Sequence, residues 1–108
     1  MFGERRKHPR YVINRVAKFQ VDSGAIPRDC TITDISARGA RLFSDADIPD
    51  QFFLLISGGE KIVREECCVT WRLGGEVGVT FVTHQREILR SQLIDRLRAE
   101  TRQAFRHA

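Results

Sequence analysis

Two short stretches of this chain carry the side chains best suited to binding an anion. The first, residues 4–11, packs three arginines and one lysine into positions 5–10. Guanidinium groups bind phosphate bidentately, hydrogen-bond the O6/N7 edge of guanine or stack on a base. The second stretch, residues 34–39, supplies a carboxylate, a hydroxyl and a glycine. We therefore treat both stretches as candidate parts of one binding site.

The second stretch has the chemistry to recognise guanine. Asp34 and Ser36 are two positions apart, so on an extended backbone their side chains leave the same face. A carboxylate matches the paired N–H groups of the guanine Watson–Crick edge, and a serine hydroxyl donates to phosphate or a ring acceptor. Gly39 suits the positive φ of a tight turn and leaves room for a base. An ordinary hairpin with Asp34 and Ser36 bonding its backbone is the alternative.

The first stretch is expected to be an extended arm. Pro9 disfavours a helix, so Arg6 and Arg10 can reach opposite sides of a ligand. Ordering such an arm costs on the order of 1–2 kcal/mol per residue, so two arginines alone cannot hold it in place. We expect a flexible arm over residues 1–10 that docks only when a ligand is also held elsewhere. The alternative is a solvated basic tail.

Composition excludes several classes of protein. The chain has 108 residues and a hydrophobic fraction of 42%, which fits one globular domain. Its three cysteines and three histidines lack the spacing of a metal site, and an odd cysteine count argues against a disulfide framework. No transmembrane segment, signal peptide or catalytic constellation is evident. We expect a cytoplasmic protein that is not an enzyme, has no cofactor or metal and does not insert into a membrane.

Charge is distributed unevenly along the chain. Residues 1–10 and residues 84–108 each carry a net charge of +3, whereas the middle of the chain carries −2. Basic ends on a slightly acidic core favour an anionic partner at one or both termini.

The element pattern predicts a mainly β fold, a six-stranded antiparallel barrel over residues 11–83. Glu65 interrupts an apolar alternation and is expected to mark a bulge or bend. Pairs of glycines predict hairpin turns at 58–59 and 74–75. The predicted strands cover residues 11–21, 28–35, 40–43, 52–56 and 61–71, and a sixth contains Val77, Val79 and Phe81.

From residue 84 the spacing of apolar residues changes from that of a strand to that of a helix, which predicts a C-terminal α-helix over residues 84–107. Its apolar side would contain Ile88, Leu89, Leu93, Ile94 and Leu97, and Phe105 would extend it. Surface ion pairs are expected between Glu87 and Arg90 and between Arg96 and Glu100. The helix could close one end of the barrel, and its basic outer face could also dock a partner.

The two binding stretches together resemble those of the PilZ domain family. Residues 6–10 match its RxxxR motif, and residues 34–39 match its [D/N]xSxxG motif. The resemblance extends over nearly the whole chain and implies a split-barrel fold that binds cyclic di-GMP. It implies that Arg6 and Arg10 clamp guanine and phosphate while Asp34, Ser36 and Gly39 surround one guanine. At position 40 this chain has an alanine, whereas many members of the family carry a second glycine after the first.

Two further residues are candidates for the same ligand. Arg5 offers another guanidinium plane, which could support a stacked pair of ligand molecules or could simply be a solvated charge. Trp71 could stack on a base or could be a buried tryptophan of the barrel.

Three functions follow from these observations. The first is a cyclic di-GMP receptor whose N-terminal arm becomes ordered on binding and signals to an unidentified protein partner. The second is an adaptor that keeps the fold and acts through protein contacts without the ligand. The third, a small nucleic-acid-binding barrel, is disfavoured because the strands lack an aromatic array for stacking successive bases.

Overall fold

The computed structural model describes residues 9–58, 60–82 and 87–106, without the side chains of residues 87, 88 and 102–106. Its elements are six strands and one helix. They are β1 (Tyr11–Gln20), β2 (Arg28–Ile35), β3 (Gly39–Phe43), β4 (Gln51–Gly58), β5 (Lys61–Leu73), β6 (Glu76–Phe81) and α1 (Glu87–Arg106).

The strands form a closed antiparallel barrel in the order β1-β2-β3-β6-β5-β4. The predicted mainly β fold, a six-stranded antiparallel barrel with a C-terminal helix, is therefore confirmed. Closure leaves no unpaired sheet edge. A two-residue turn at Gly74 and Gly75 joins β5 to β6, as predicted, and Gly74 has a φ of 61°. That angle favours glycine because it lies in the left-handed region.

Alternating side chains of the strands fill the barrel. Phe19, Phe52 and Phe81 are among the largest fully buried residues, and the first two pack edge to face with centroids 6.1 Å apart. Cys30 and Cys67 are buried free thiols within the same core. Val21, predicted as the last residue of the first strand, lies beyond the end of β1 and is half exposed.

Three register shifts bear on the site, and one of them lies in the pairing of β2 with β3, between Ile32 and Asp34. In β1 the register shifts between Val12 and Arg15, where Asn14 has a φ of 45°. In β5 the shift lies between Val69 and Trp71. The bulge predicted at Glu65 is wrong, because Glu65 pairs in regular register with β4. The carboxylate of Glu65 instead points inward and is almost completely buried.

Helix α1 covers the end of the barrel where β1 begins and β4 ends. Leu93, Ile94 and Leu97 join the core, as predicted for a capping helix. The prediction for Leu89 is wrong, since its side chain is 57% exposed. The buried face of α1 instead contains Arg90, Leu93, Ile94 and Leu97, so Leu89 falls outside the contact. The side chains of Ile88 and Phe105 lie outside the described residues.

In the described part of α1, Arg96 and Glu100 contact the barrel rather than each other, and the side chain of Glu87, predicted to pair with Arg90, lies outside the described residues. Arg96 donates to the backbone carbonyl of Gly58 at 2.9 Å, and Glu100 forms an ion pair with Arg15 at 2.7 Å. The Arg96–Glu100 pair predicted from spacing is therefore replaced by two contacts between α1 and the strands. In the part of the chain that the structure describes, no helix has the length and apolarity needed to cross a membrane.

Candidate functional site

The candidate site lies on the outer wall of the barrel, along one row that crosses five adjacent strands. Val12 of β1 is opposite Asp34 of β2, and Asp34 is opposite Arg41 of β3. Arg41 is in turn opposite Gly78 of β6, and Gly78 is opposite Trp71 of β5. Because directly opposite residues are the closest neighbours in a sheet, this register gathers side chains from distant sequence positions.

Asp34 is at the centre of a charged cluster. Its Oδ1 accepts a hydrogen bond from a terminal nitrogen of Arg10 at 2.8 Å. Its Oδ2 accepts from Nε of Arg41 at 2.9 Å and from a terminal nitrogen of Arg41 at 2.6 Å. The two guanidinium groups cover the carboxylate, and Asp34 is only 3% exposed although it points to the outside of the barrel. Hydrogen bonds between ionised groups are the stronger class in proteins.

Arg41 is a member of the site that the sequence reasoning missed. The hydrogen bond to Asp34, reinforced by its negative charge, raises the pKa of the Arg41 guanidinium above its ordinary value. A signal was present in the sequence. Ala40 and Leu42 alternate inward, so Arg41 faces outward, and a hairpin turn over residues 36–39 sets it opposite Asp34.

Trp71 lies across the backbone of its cross-strand partner. A Cβ atom built on Gly78 would be 2.0 Å from the indole Nε1 of Trp71, so only glycine fits beneath this ring. Aromatic side chains covering a glycine on the neighbouring strand are a known device for pinning strand register. The indole is nevertheless 42% exposed, so it is not a buried core tryptophan. One part of the ring is held by the sheet and another remains open to a ligand.

These side chains line a cleft of about 440 Å³. Its lining residues are Arg10, Val12, Asp34, Arg41 and Trp71. Two guanidinium groups against one carboxylate leave a net positive charge, and the indole supplies a flat apolar surface. Such a combination can hold a planar base by stacking and an anionic group by charge-assisted hydrogen bonds.

Ser36 has a structural role in the turn that follows Asp34. Its Oγ accepts hydrogen bonds from the backbone N–H groups of Arg38 and Gly39, both at 3.2 Å. Its own N–H donates to the carbonyl of Gly39 at 2.8 Å. The buried hydroxyl therefore closes the turn, which is the alternative that the sequence left open for this residue.

Gly39 is required for a reason other than the one predicted. Its φ is not in the left-handed region, which among glycines of the described chain is occupied by Gly74. A Cβ atom at Gly39 would instead meet the carbonyl oxygen of Val79. The absence of a side chain at Gly39 therefore allows β3 to approach β6.

Comparison with known proteins identifies the family. A sequence model described as the PilZ domain matches residues 4–99. The chain belongs to the PilZ domain family. Among solved structures, an uncharacterized protein from Legionella matches with a TM-score of 0.65 and 19% sequence identity, over 86% of this chain and 97% of that chain. At this identity the match shows a shared fold. No curated protein matches the chain.

The residues predicted for the ligand fall into three groups in this PilZ domain. Arg10, Asp34 and Trp71 line one cleft. Ser36 and Gly39 form the adjacent turn between β2 and β3 and are not part of the cleft lining. Arg5 and Arg6 lie outside the described residues. Among the side chains that are described, no group of three or more histidine, cysteine, aspartate or glutamate residues could hold a metal ion.

Proposed function

We propose that this PilZ domain is a receptor for cyclic di-GMP. The observation that supports the proposal most directly is the cleft in which Arg10, Asp34, Arg41 and Trp71 converge. It offers a carboxylate for the N–H groups of guanine, guanidinium groups for phosphate and an exposed indole for stacking. Non-enzymatic ligand recognition accounts for all four side chains.

Binding requires an exchange of partners at Asp34. Both carboxylate oxygens are engaged in the described structure, Oδ1 by Arg10 and Oδ2 by Arg41. A guanine edge can approach only if Arg10 moves from Asp34 to the ligand, where its guanidinium contacts phosphate or stacks on the base. One charge-assisted hydrogen bond replaces another, so the exchange itself costs little. In this proposal Arg10 is the residue whose position reports the bound state.

The proposed output is a change at the N-terminal arm. In this proposal, movement of Arg10 from Asp34 to the ligand draws the arm that precedes it against the barrel and changes the charged surface offered to a protein partner. The ligand favours this docked arrangement because it binds it more tightly than the free one. Arg6 completes the clamp from the same arm, and Arg5 is available for a second ligand molecule.

Calorimetric titration with cyclic di-GMP tests the proposal. We expect saturable binding to the wild-type chain and none to the double variant Arg6→Ala/Arg10→Ala, which removes the clamp. Arg28→Ala is the matched control, because Arg28 is an exposed arginine at the start of β2 that takes no part in the cleft. Its affinity should stay within about twofold of wild type, well under the roughly tenfold that 1.4 kcal/mol represents. A flat trace from folded wild-type protein would refute the receptor function.

One observation favours an adaptor that acts without the ligand. The Asp34 carboxylate already forms ion pairs with Arg10 and Arg41, so its charge is balanced without a ligand. A partner captured equally well with and without cyclic di-GMP, by a chain that shows no calorimetric binding, would support this second function.

A further inference from the structure

A buried ion pair inside the barrel has no part in the cleft. Arg90 of α1 and Glu65 of β5 approach to 3.0 Å, and both side chains are 2% exposed. The guanidinium carbon of Arg90 also lies 4.8 Å from the centroid of the Phe81 ring. Two charges have therefore been taken out of water at the interface between the helix and the barrel.

The same arginine reaches the turn between β2 and β3. A terminal nitrogen of Arg90 donates to the carbonyl oxygen of Ala37 at 3.2 Å. Ala37 is at the middle of the turn, between Ser36, which closes the turn, and Arg38, whose carbonyl accepts from Phe81 N–H at 2.8 Å. One side chain of the helix therefore forms a hydrogen bond with the backbone of the turn.

Stability alone does not account for such a pair. Removing two charges from water costs several kcal/mol per ion, and a well-packed apolar pair of similar size is often as stable or more so. An apolar pair could not, however, donate to the Ala37 carbonyl. Unlike an apolar pair, the hydrogen bond from Arg90 to Ala37 fixes the direction and the distance between α1 and the turn.

We propose that Arg90 is a positioning residue for the ligand site. Glu65 holds the guanidinium in one orientation, and the guanidinium in turn holds the Ala37 carbonyl, so that the turn following Asp34 keeps one conformation. The link to ligand affinity rests on the proposed function, whereas the effect on the turn does not. This assigns α1 a role in the site although no helix residue lines the cleft.

The test compares one double variant with one matched control. Glu65→Leu/Arg90→Met replaces the ion pair by apolar side chains of similar size. Arg96→Met removes another arginine of α1 that also donates to a strand carbonyl, that of Gly58, away from the turn. Amide hydrogen exchange is followed at Arg38 and Gly39, whose N–H groups are bonded to Ser36 in the turn, and cyclic di-GMP affinity is measured by calorimetry.

In the double variant we expect the Arg38 and Gly39 amides to exchange about tenfold faster and the affinity for cyclic di-GMP to fall about tenfold. The melting temperature should stay close to that of wild type, which separates positioning from a loss of packing. Arg96→Met should change neither exchange at the turn nor affinity.

A second variant keeps the experiment decisive if the double variant does not fold. Arg90→Lys preserves a charge for Glu65 but lacks the forked donors that reach the Ala37 carbonyl at the same time. Faster exchange at Arg38 and Gly39 in this variant supports the proposal. Unchanged exchange at both amides in every folded Arg90 variant overturns it. If exchange rises but the wild-type chain binds no cyclic di-GMP, positioning stands and the receptor function fails.

Discussion

In the proposed function, Asp34 both recognises guanine and holds Arg10 in place when no ligand is bound. Its carboxylate lies between the guanidinium groups of Arg10 and Arg41, and each oxygen has its own arginine. Arg41 belongs to a strand and is held by the register, whereas Arg10 precedes the first strand. The contact that yields most easily to a ligand is therefore the one made by Arg10.

Trp71 provides an intrinsic probe of the cleft, since it is the only tryptophan of the chain. Stacking of a guanine on the exposed part of its indole should quench its fluorescence and shield it from a soluble quencher. We expect the emission to fall on titration with cyclic di-GMP and to saturate at the ligand concentration found by calorimetry. Trp71→Ala should weaken binding by about 1–3 kcal/mol, the range for loss of one base–aromatic stack.

Two comparisons make the fluorescence result specific. Cyclic di-AMP presents an adenine edge whose ring acceptor is repelled by the Asp34 carboxylate, so it should leave the emission unchanged. Trp71→Phe keeps an aromatic face and should retain most of the affinity. Saturable binding with unaltered tryptophan emission would show that the base lies elsewhere than on Trp71.

The residues that the sequence identified and those it missed differ in the kind of signal they carry. Asp34 belongs to a motif that can be read locally. Glu65 and Arg90 could have been found only together, because each is a charge that interrupts an apolar pattern. Glu65 shares the inward face of β5 with Cys67, and Arg90 precedes the buried Leu93 at helical spacing. Spacing alone assigned Arg90 to the surface because nothing local reveals a partner on another element.

At the level of elements, the site depends on register more than on any single loop. The row from Val12 to Trp71 exists because four neighbouring strand pairs are aligned on it. Close approach of β3 to β6 at Gly39, and the fit of the indole over Gly78, fix that alignment on either side of Arg41. Alternation predicts that the strands exist, but the order β3-β6-β5 around the barrel arises from closure, which no local pattern contains.

Helix α1 offers a prediction on stability. Leu97 is fully buried and Leu89 is exposed, although both lay on the apolar side expected from the sequence. Leu97→Ala should lower the free energy of unfolding by roughly 2–5 kcal/mol, because it removes contacts and leaves a cavity. Leu89→Ala should change it by less than about 0.5 kcal/mol. Denaturant titration of both variants measures the difference.

The two leucines serve as each other's control, since the substitution and the helix are the same. Equal losses at the two positions would mean that α1 packs with a face other than the one described. A loss at Leu89 that appears only in the presence of a partner protein would be a binding effect, not a failure of the helix to pack.

On the scale of the whole molecule, the barrel carries the candidate cleft on its outer wall and helix α1 at one of its ends. The cleft lies on the outer row of the strands, and α1 closes the end where β1 begins and β4 ends. The interior between them holds apolar side chains, two thiols and the Glu65–Arg90 pair. The pKa values of the two thiols report how well this interior excludes water, which surface residues cannot do.

Burial raises the pKa of the Cys30 thiol from its ordinary value of 9.0 to about 12, and burial likewise raises the pKa of Cys67. Since the folded state keeps these protons while the unfolded chain loses them, stability is unaffected below pH 9 and falls as pH rises from 9 toward 12. Between pH 8 and pH 10.5, we expect the stability advantage of wild type over Cys30→Ala to shrink by about 2 kcal/mol. Denaturant unfolding at several pH values measures this advantage.

Ile32→Val, a truncation on the same buried face of β2, should lose a constant amount of unfolding free energy across this pH range. An advantage over Cys30→Ala that also stays constant would mean that water reaches Cys30 and that the barrel is open where it is described as closed.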